Sequence, residues 1–300
     1  MGATPYLFPN EARLGRDNVV LNARSRRHRV DNFAGPLSIK TVLTGEVGWV
    51  VGGRELRVNQ SSFLVLSEGE RYSMNIDEVK SVETCCVFFR PGYVERVAQD
   101  LTSPMERSLE DFAAQAPVLP YLSALHLDRP LVERVQRLAL RCKGLLTPSS
   151  FEEEFLTLAL ELLGFYERVR AESARLPAVR EATRQELFRR LLIGREYMHS
   201  QTAGPLSLEM IAREACLSPF HFHRGFKQAF EQTPHQYLTA LRLERARSMI
   251  AVGTPVLEAC VEVGFSSPSA FSRLFKSHFG EIPSAVRRKF ARSGKTGDES

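Results

Sequence analysis

The 300-residue sequence holds one tryptophan, five cysteines, seven histidines and no run of about 18 apolar residues. Without such a run, no segment is expected to span a membrane as a helix. The cysteines, Cys85, Cys86, Cys142, Cys216 and Cys260, are odd in number, scattered, and form no CxxC pair. They fit free thiols in a reducing cytoplasm better than a disulfide framework. The first residues, "MGATPYLFPNEARLGRDNVV", have no basic stretch followed by an apolar core, and Gly2 lacks the Ser or Thr that myristoylation needs, so neither a secretory signal nor a lipid anchor is expected. The first 180 residues contain only His28 and His126, too few for a metal cluster of two histidines and a glutamate. Neither GxSxG nor HExxH occurs. Catalysis needs a nucleophile, base or metal within mutual reach, so no enzyme and no cofactor are expected. The "GKT" near the C-terminus lacks the first glycine of a phosphate loop.

What is present is ordinary in amount and uneven in place. Hydrophobic residues make up 43% and charged residues 25%, as in a globular protein. Residues 181–300 carry 17 Lys/Arg against 12 Asp/Glu, whereas residues 1–180 carry 23 of each. The whole excess of positive charge therefore lies in the last 120 residues. A basic C-terminal part beside a neutral N-terminal part points to a polyanionic partner for one end only.

From about 19 to 90 the pattern is β. Short apolar runs break at Thr44-Gly45, Gly52-Gly53 and Glu68-Gly69-Glu70, and "SVETCCVFFRPG" ends at Pro91-Gly92. Short strands with frequent glycine turns predict a small sandwich or barrel. Cys85 and Cys86 lie in its last strand, which reads as half-buried. Beyond Pro91 the spacing becomes helical. In "FEEEFLTLALELLGFYERVRAESARL" residues Phe155, Leu158, Leu162 and Phe165 share one side. Ser150, with Glu153 three residues on, is a candidate N-cap. The broad apolar stripe either closes the β core or pairs with a twin from another subunit, and pairing is preferred. Residues 175–183 read as a linker broken by Pro177, with Thr183 and Glu186 offering a new capping box.

The strongest signal is a repeat. Displacing residues 208–234 by 49 positions gives ten identities in 27, among them Ser218/Ser267, Pro219/Pro268, Phe222/Phe271, Arg224/Arg273, Phe226/Phe275, Lys227/Lys276 and Phe230/Phe279. Such repetition marks a duplicated supersecondary unit. Each copy reads as a short helix, a tight turn and a second helix. Ser207 and Ser218 cap the helices of the first copy, and Ser267-Pro268 opens the second helix of the other, after Gly264 in the turn. The phenylalanines four apart form buried stripes. The opposite faces carry Phe220, His221, Arg224, Lys227 and Gln228 in one copy and Ser269, Ala270, Arg273, Lys276 and Ser277 in the other. An outward arginine suits guanine O6 and N7, and lysines suit phosphates. Between the copies, "PHQYLTALRLERARSMI" predicts a buried connecting helix of about 25 Å. Arg242 within it is expected to need a carboxylate partner.

Residues 185–290, with "RLERARSMI" and "VGFSSPSAFSRLFKSHFGEIP", resemble the AraC/XylS family of bacterial transcription regulators. The sequence departs from that pattern at Glu231, where glycine is common, and at Ile282, where Ser or Thr is usual. The resemblance implies an α+β chain with four parts. Residues 1–95 would be a cupin-like β sensor domain, a small barrel with flanking helices. Residues 96–176 would be a helical dimerisation or linker segment. Residues 177–292 would be an all-α domain with two helix-turn-helix units on a long helix, and residues 293–300 a disordered tail. It implies base contacts from Phe220, His221, His223 and Arg224, and from Ser269, Ala270, Ser272 and Arg273. The implied partners are double-stranded promoter DNA, a small-molecule effector, a second copy of the chain and RNA polymerase, without a membrane. Arg24, Arg26, Arg27 and Arg29 offer an anion site or a solvated edge strand. Two other readings stand beside this one. The first is a regulator sensing a partner or redox state rather than a small molecule. The second is a cupin-like enzyme addressed to DNA, with Cys85 or Cys86 as its reactive thiol.

Overall fold

Strands come first along the chain and helices follow. The computed structural model describes residues 6–8, 14–102, 125–126, 128–144, 147–177, 180–202 and 204–293. The chain divides into two units, Met1–Ala171 and Glu172–Ser300.

Among the described residues, the first unit is built on eight antiparallel strands: β1 (Tyr6–Phe8), β2 (Val19–Ala34), β3 (Ser38–Thr44), β4 (Val47–Val51), β5 (Arg54–Val58), β6 (Phe63–Leu66), β7 (Arg71–Phe88) and β8 (Leu125–His126). The spine is β7, 18 residues long. Its Tyr72–Asn75 stretch pairs with β4 and its later part, through Phe88, with β3, while β2 runs along its other side. Register shifts between Ser25 and Arg27 and between Val30 and Phe33 break the β2–β7 ladder, and such irregularities let long strands bend. The two-residue hairpin between β4 and β5 is Gly52-Gly53, both at positive φ, which glycine adopts without penalty. Trp49, Val42, Leu56, Leu64, Tyr72 and Met74 fill the interior.

One interior residue is a cation. Lys40 of β3 is 0% exposed. Its Nζ donates to the Tyr72 hydroxyl at 3.1 Å and lies 3.8 Å from the centre of the Phe88 ring. Its cross-strand neighbours are Cys86 and Leu64. Burial pushes its pKa down to about 8, an effect that Cys86 partly opposes.

Among the described residues, α1 (Tyr93–Thr102), α2 (Arg129–Cys142) and all but the last turn of α3 (Pro148–Ala174) fall in the same unit. They correct two expectations. The stripe of α3 that was expected to pair with another subunit is already covered. Phe155, Leu158 and Leu162 are fully buried within one chain. Phe155 meets Phe89 at 5.5 Å and Phe165 meets Phe63 at 5.3 Å, both edge-on. The stripe closes the β core, packing on Phe63 of β6 and on Phe89 just after β7. The described helices of the expected segment 96–176 do not stand apart from the sheet either: α2 and nearly all of α3 fall in one unit with it, and β8 hydrogen-bonds to β6. The cap of α3 is Thr147 rather than Ser150, since Thr147 Oγ1 accepts from the Ser150 amide at 3.2 Å.

The second unit holds α4 (Glu181–Ser200), α5 (Leu208–Glu214), α6 (Pro219–Phe230), α7 (Pro234–Ala251), α8 (Val256–Glu262), α9 (Pro268–Phe279) and α10 (Pro283–Ser293). The capping box expected from Thr183 and Glu186 does not form. The N-cap of α4 is Arg180, and Glu186 instead accepts from Nε of both Arg189 and Arg190 at 2.8 Å. The tail expected to be disordered lies outside the described residues, apart from Ser293 at the end of α10. Among the described residues no helix is long and apolar enough to cross a membrane, and no group of three His, Cys, Asp or Glu side chains could hold a metal ion.

Candidate nucleic-acid interface

The repeat in sequence is a repeat in structure, with one adjustment. Each copy begins with a seven-residue helix, α5 or α8. Each then turns by the same pair of hydrogen bonds. In the first copy the Cys216 amide donates to Arg213 O and the Leu217 amide to Ala212 O. In the second, Gly264 donates to Val261 O and Phe265 to Cys260 O. This is the Schellman arrangement, whose central residue sits in the left-handed region. Gly264 is there at φ 80, and so is Cys216 at φ 51. These equivalences run at 48 residues, not 49: buried Ile211, Ala212 and Ala215 match buried Ala259, Cys260 and Val263. The second helices return to 49, since Ser218 and Ser267 both cap through their hydroxyls. One extra turn residue, Ser266, makes the difference. The identities Leu208/Leu257 and Glu209/Glu258 are therefore not structural counterparts. Allowing a one-residue gap at the glycine would have found this from the sequence.

α6 and α9 each span 12 residues, with proline in the first turn. Phe222 and Phe226 are fully buried, with centroids 5.4 Å apart, and Phe226 lies 4.5 Å from Phe230. Phe271, Phe275 and Phe279 repeat this at 5.6 Å and 4.6 Å. An arginine covers the last ring of each ladder: Arg195 over Phe230 at 4.8 Å and Arg247 over Phe279 at 4.7 Å. Gly194 of α4 sets the depth of the first ladder, because a Cβ there would stand 2.3 Å from the Phe222 ring. The rest of the packing is specific too. His199 Nε2 and the Tyr237 hydroxyl lie 3.0 Å apart, and burial, with Arg195 nearby, holds the imidazole down to about 3, hence neutral. Arg242 has a carbonyl partner where a carboxylate was expected, donating to Gly204 O at 2.5 Å. Gly204 sits at the turn before α5, so the connecting helix tethers that turn directly. Glu231, where a glycine is common, takes the left-handed conformation at φ 56, and Arg175 pairs with it at 3.0 Å.

The opposite faces are open. Phe220 is 69% exposed, and His221, His223, Arg224 and Lys227 are exposed, while Gln228 is half-buried. In α9, Ser269, Arg273 and Lys276 are exposed, and Ala270 and Ser272 are half-buried. His221 is held by its own cap, with Nδ1 2.8 Å from Ser218 Oγ. Several other arginines of the unit are engaged, Arg175 with Glu231, Arg189 and Arg190 with Glu186, Arg245 with Glu262, and Arg247 with Glu281, whereas exposed Arg213, Arg287 and Arg288 make no ion pair with any described residue. Arg224, Lys227, Arg273 and Lys276 make no ion pair with any described residue. Four unneutralised cations thus occupy equivalent outward positions on two equivalent helices.

A short helix, a Schellman turn and a capped second helix with a free cationic face is helix-turn-helix architecture. A family profile described as "Helix-turn-helix domain" matches residues 211–289. It is 33% identical over 93 residues to the HTH-type transcriptional regulator ArgR of Pseudomonas aeruginosa, covering 31% of this chain and 28% of that protein. It is 36% identical over 69 residues to the bifunctional transcriptional activator/DNA repair enzyme Ada of Escherichia coli K12, covering 23% of this chain and 20% of that one. The chain thus spans less than a third of the length of these curated relatives. Among solved structures, an AraC-type transcriptional regulator from Chromobacterium violaceum is 30% identical over 34% of this chain and 92% of its own, with a TM-score of 0.33.

Proposed function

We propose that the chain is a sequence-specific DNA-binding transcription regulator in which both helix pairs are helix-turn-helix units. In this reading α6 and α9 enter successive major grooves, about 34 Å apart on one face of the duplex. Arg224 and Arg273 read guanines. Phe220, His221, His223 and Gln228, with Ser269, Ala270 and Ser272, contact neighbouring base edges and thymine methyls. Lys227 and Lys276 hold phosphates. One observation supports this above the others: two duplicated helices hold equivalent outward cations, Arg224 and Lys227 on one and Arg273 and Lys276 on the other, none of them in an ion pair with a described residue.

The test is a mobility-shift titration on promoter and random DNA. Arg224→Ala or Arg273→Ala should each lower the preference for promoter by roughly 5- to 100-fold, the range of one lost bidentate contact. Lys227→Ala and Lys276→Ala should weaken binding to both DNAs alike and flatten the salt dependence by about one counterion each. An arginine variant that keeps the full preference removes that residue from the reading set.

The N-terminal unit is the sensor in this reading. Lys40 supports an effector with an anionic group, because a buried ammonium with one hydroxyl acceptor and two aromatic rings has donors to spare. The enzyme alternative loses support from its thiols: burial pushes Cys86 up and Cys85 well up, away from the reactive thiolate. The chain acts as a homodimer beside RNA polymerase, through a surface other than the buried α3 stripe. Light scattering that gives a monomer at micromolar concentration would remove the dimer.

A further inference from the structure

The chain is sparing with lysine. Of its 40 Lys and Arg residues only seven are lysines and 33 are arginines. Lys80, Lys143, Lys227 and Lys276 are exposed, whereas Lys40 is 0% exposed. Its Nζ has one hydrogen-bond partner, the Tyr72 hydroxyl at 3.1 Å, and makes no ion pair with any described residue. The rings of Phe88 and Tyr72 lie 3.8 Å and 4.7 Å from it. Cys86 and Leu64 stand beside Lys40 on the neighbouring strands.

An anionic ligand alone does not account for lysine at this position. Arginine holds a carboxylate by two parallel hydrogen bonds and keeps its charge at every working pH, and this chain uses arginine far more often. Lysine can do what arginine cannot, which is to lose its proton and attack a carbon. Burial has carried this amine part of the way, pushing its pKa down to about 8. At pH 7 about one molecule in ten then holds the free amine, against about one in three thousand at the ordinary lysine value. The neighbouring hydroxyl completes the chemistry. Burial pushes the Tyr72 pKa up, so the phenol keeps its proton and can donate it.

We propose that Lys40 captures a neutral, apolar aldehyde as an imine. The free amine bonds to the carbonyl carbon, and one Nζ hydrogen moves to the carbonyl oxygen. Tyr72 protonates that oxygen, which leaves as water. The second Nζ hydrogen then passes to Tyr72 as a proton and restores the phenol. Aldehyde and amine become imine and water, and no oxidant or reductant is consumed. The neutral imine also removes an unpaired charge from an apolar interior. The proposal builds on the reading of this unit as the sensor, and its test separates the two.

The probe is propanal with sodium cyanoborohydride at pH 7, which fixes an imine as a secondary amine that peptide mass spectrometry locates. In the folded full chain Lys40 should label about tenfold or more faster than exposed Lys80 and Lys143, and the preference should vanish in urea. Tyr72→Phe should slow labelling of Lys40 by about tenfold or more and leave Lys80 unchanged. Trp49 fluorescence confirms that this variant is folded. Labelling of Lys40 no faster than that of the exposed lysines overturns the capture, and so does full-speed labelling in folded Tyr72→Phe. If Lys40 stays unlabelled while propanoate raises the thermal midpoint of wild type and of Lys40→Arg but not of Lys40→Met, the ligand is an anion; the imine is overturned and the sensor reading stands. Promoter binding is then compared with and without propanal in the absence of reductant. A severalfold change that Lys40→Met abolishes supports both capture and sensing. Labelling of Lys40 with promoter binding unchanged keeps the capture site and removes the sensor reading.

Discussion

Replacing Lys40 with methionine should stabilise the N-terminal unit at neutral pH. The side chain is fully enclosed, and its pKa falls from 10.5 to about 8. A drop of that size corresponds to about 3 kcal/mol of burial penalty on the charged form, at 1.36 kcal/mol per pH unit. Methionine has the reach and flexibility to fill the same space. It leaves the Tyr72 hydroxyl without its lysine donor, a loss of about 1 kcal/mol. The net gain at pH 7 is thus about 2 kcal/mol. The sign with pH follows from where the proton sits. Between about 8 and 10.5 the unfolded lysine is protonated and the folded one is not, so wild type gains stability with rising pH. The advantage of Lys40→Met should therefore shrink across this window and vanish by about pH 10. Tyr72 and Cys86 face Lys40 and resist deprotonation through burial, so their contribution falls with rising pH in both proteins, and loss of the Lys40 charge pushes Cys86 further up, which shrinks the variant's advantage in the same direction. Trp49, the sole tryptophan, sits in this core, so its fluorescence during urea unfolding reports on this unit. A variant less stable than wild type at pH 7, with a gap that does not change up to pH 10, would refute the reasoning. A stabilised variant would show that the ammonium is kept at the expense of the fold, as expected of a binding group.

Two further substitutions test how the reading helix is positioned. Cys216→Gly should raise the stability of the C-terminal unit by about 1 kcal/mol, because a side chain is disfavoured in the left-handed region where glycine is not; thermal unfolding followed by circular dichroism measures it. Gly194→Ala should lower stability by about 1–2 kcal/mol, since overpacking against Phe222 outweighs the better helix propensity of alanine. It should also weaken promoter binding in the shift assay, because relief of the clash displaces α6.

Elements with a local cause were legible in the sequence. The strand breaks at Gly52-Gly53 and Gly69, the caps Ser207, Ser218 and Ser267, the connecting helix and the outward position of Arg224 and Arg273 all follow from turn chemistry or helical spacing over a dozen residues. What failed depended on groups distant in the chain. The stripe on α3 reads equally well as a dimer seam or a core face, and only the presence of Phe63 and Phe89 opposite decides between them. Arg242 reads as a cation needing a carboxylate, because no spacing rule announces a free carbonyl 38 residues away at Gly204. Lys40 gave no signal at all: one lysine among strand residues looks like any solvated one until both faces of the sheet are covered.

The change from 48 to 49 carries a further consequence. The two units share their helices and hydrogen bonds but close their turns differently. The second puts glycine at both left-handed positions, Gly264 and Gly280, whereas the first puts Cys216 and Glu231 there. Each non-glycine residue in that region costs about 1–2 kcal/mol, and the Arg175–Glu231 pair, largely exposed, returns at most about 1 kcal/mol of it. The first unit therefore holds its turns under greater strain than the second. Around the first helix pair, Gly194 packs tightly against Phe222, and the neutral His199 lies beside Tyr237. Of the two helices proposed to read DNA, α6 is thus the one more dependent on its neighbours for position. Loosening α4 should disable α6 before it disables α9, and footprints of Gly194→Ala should lose protection on the half-site read by α6 while retaining the other.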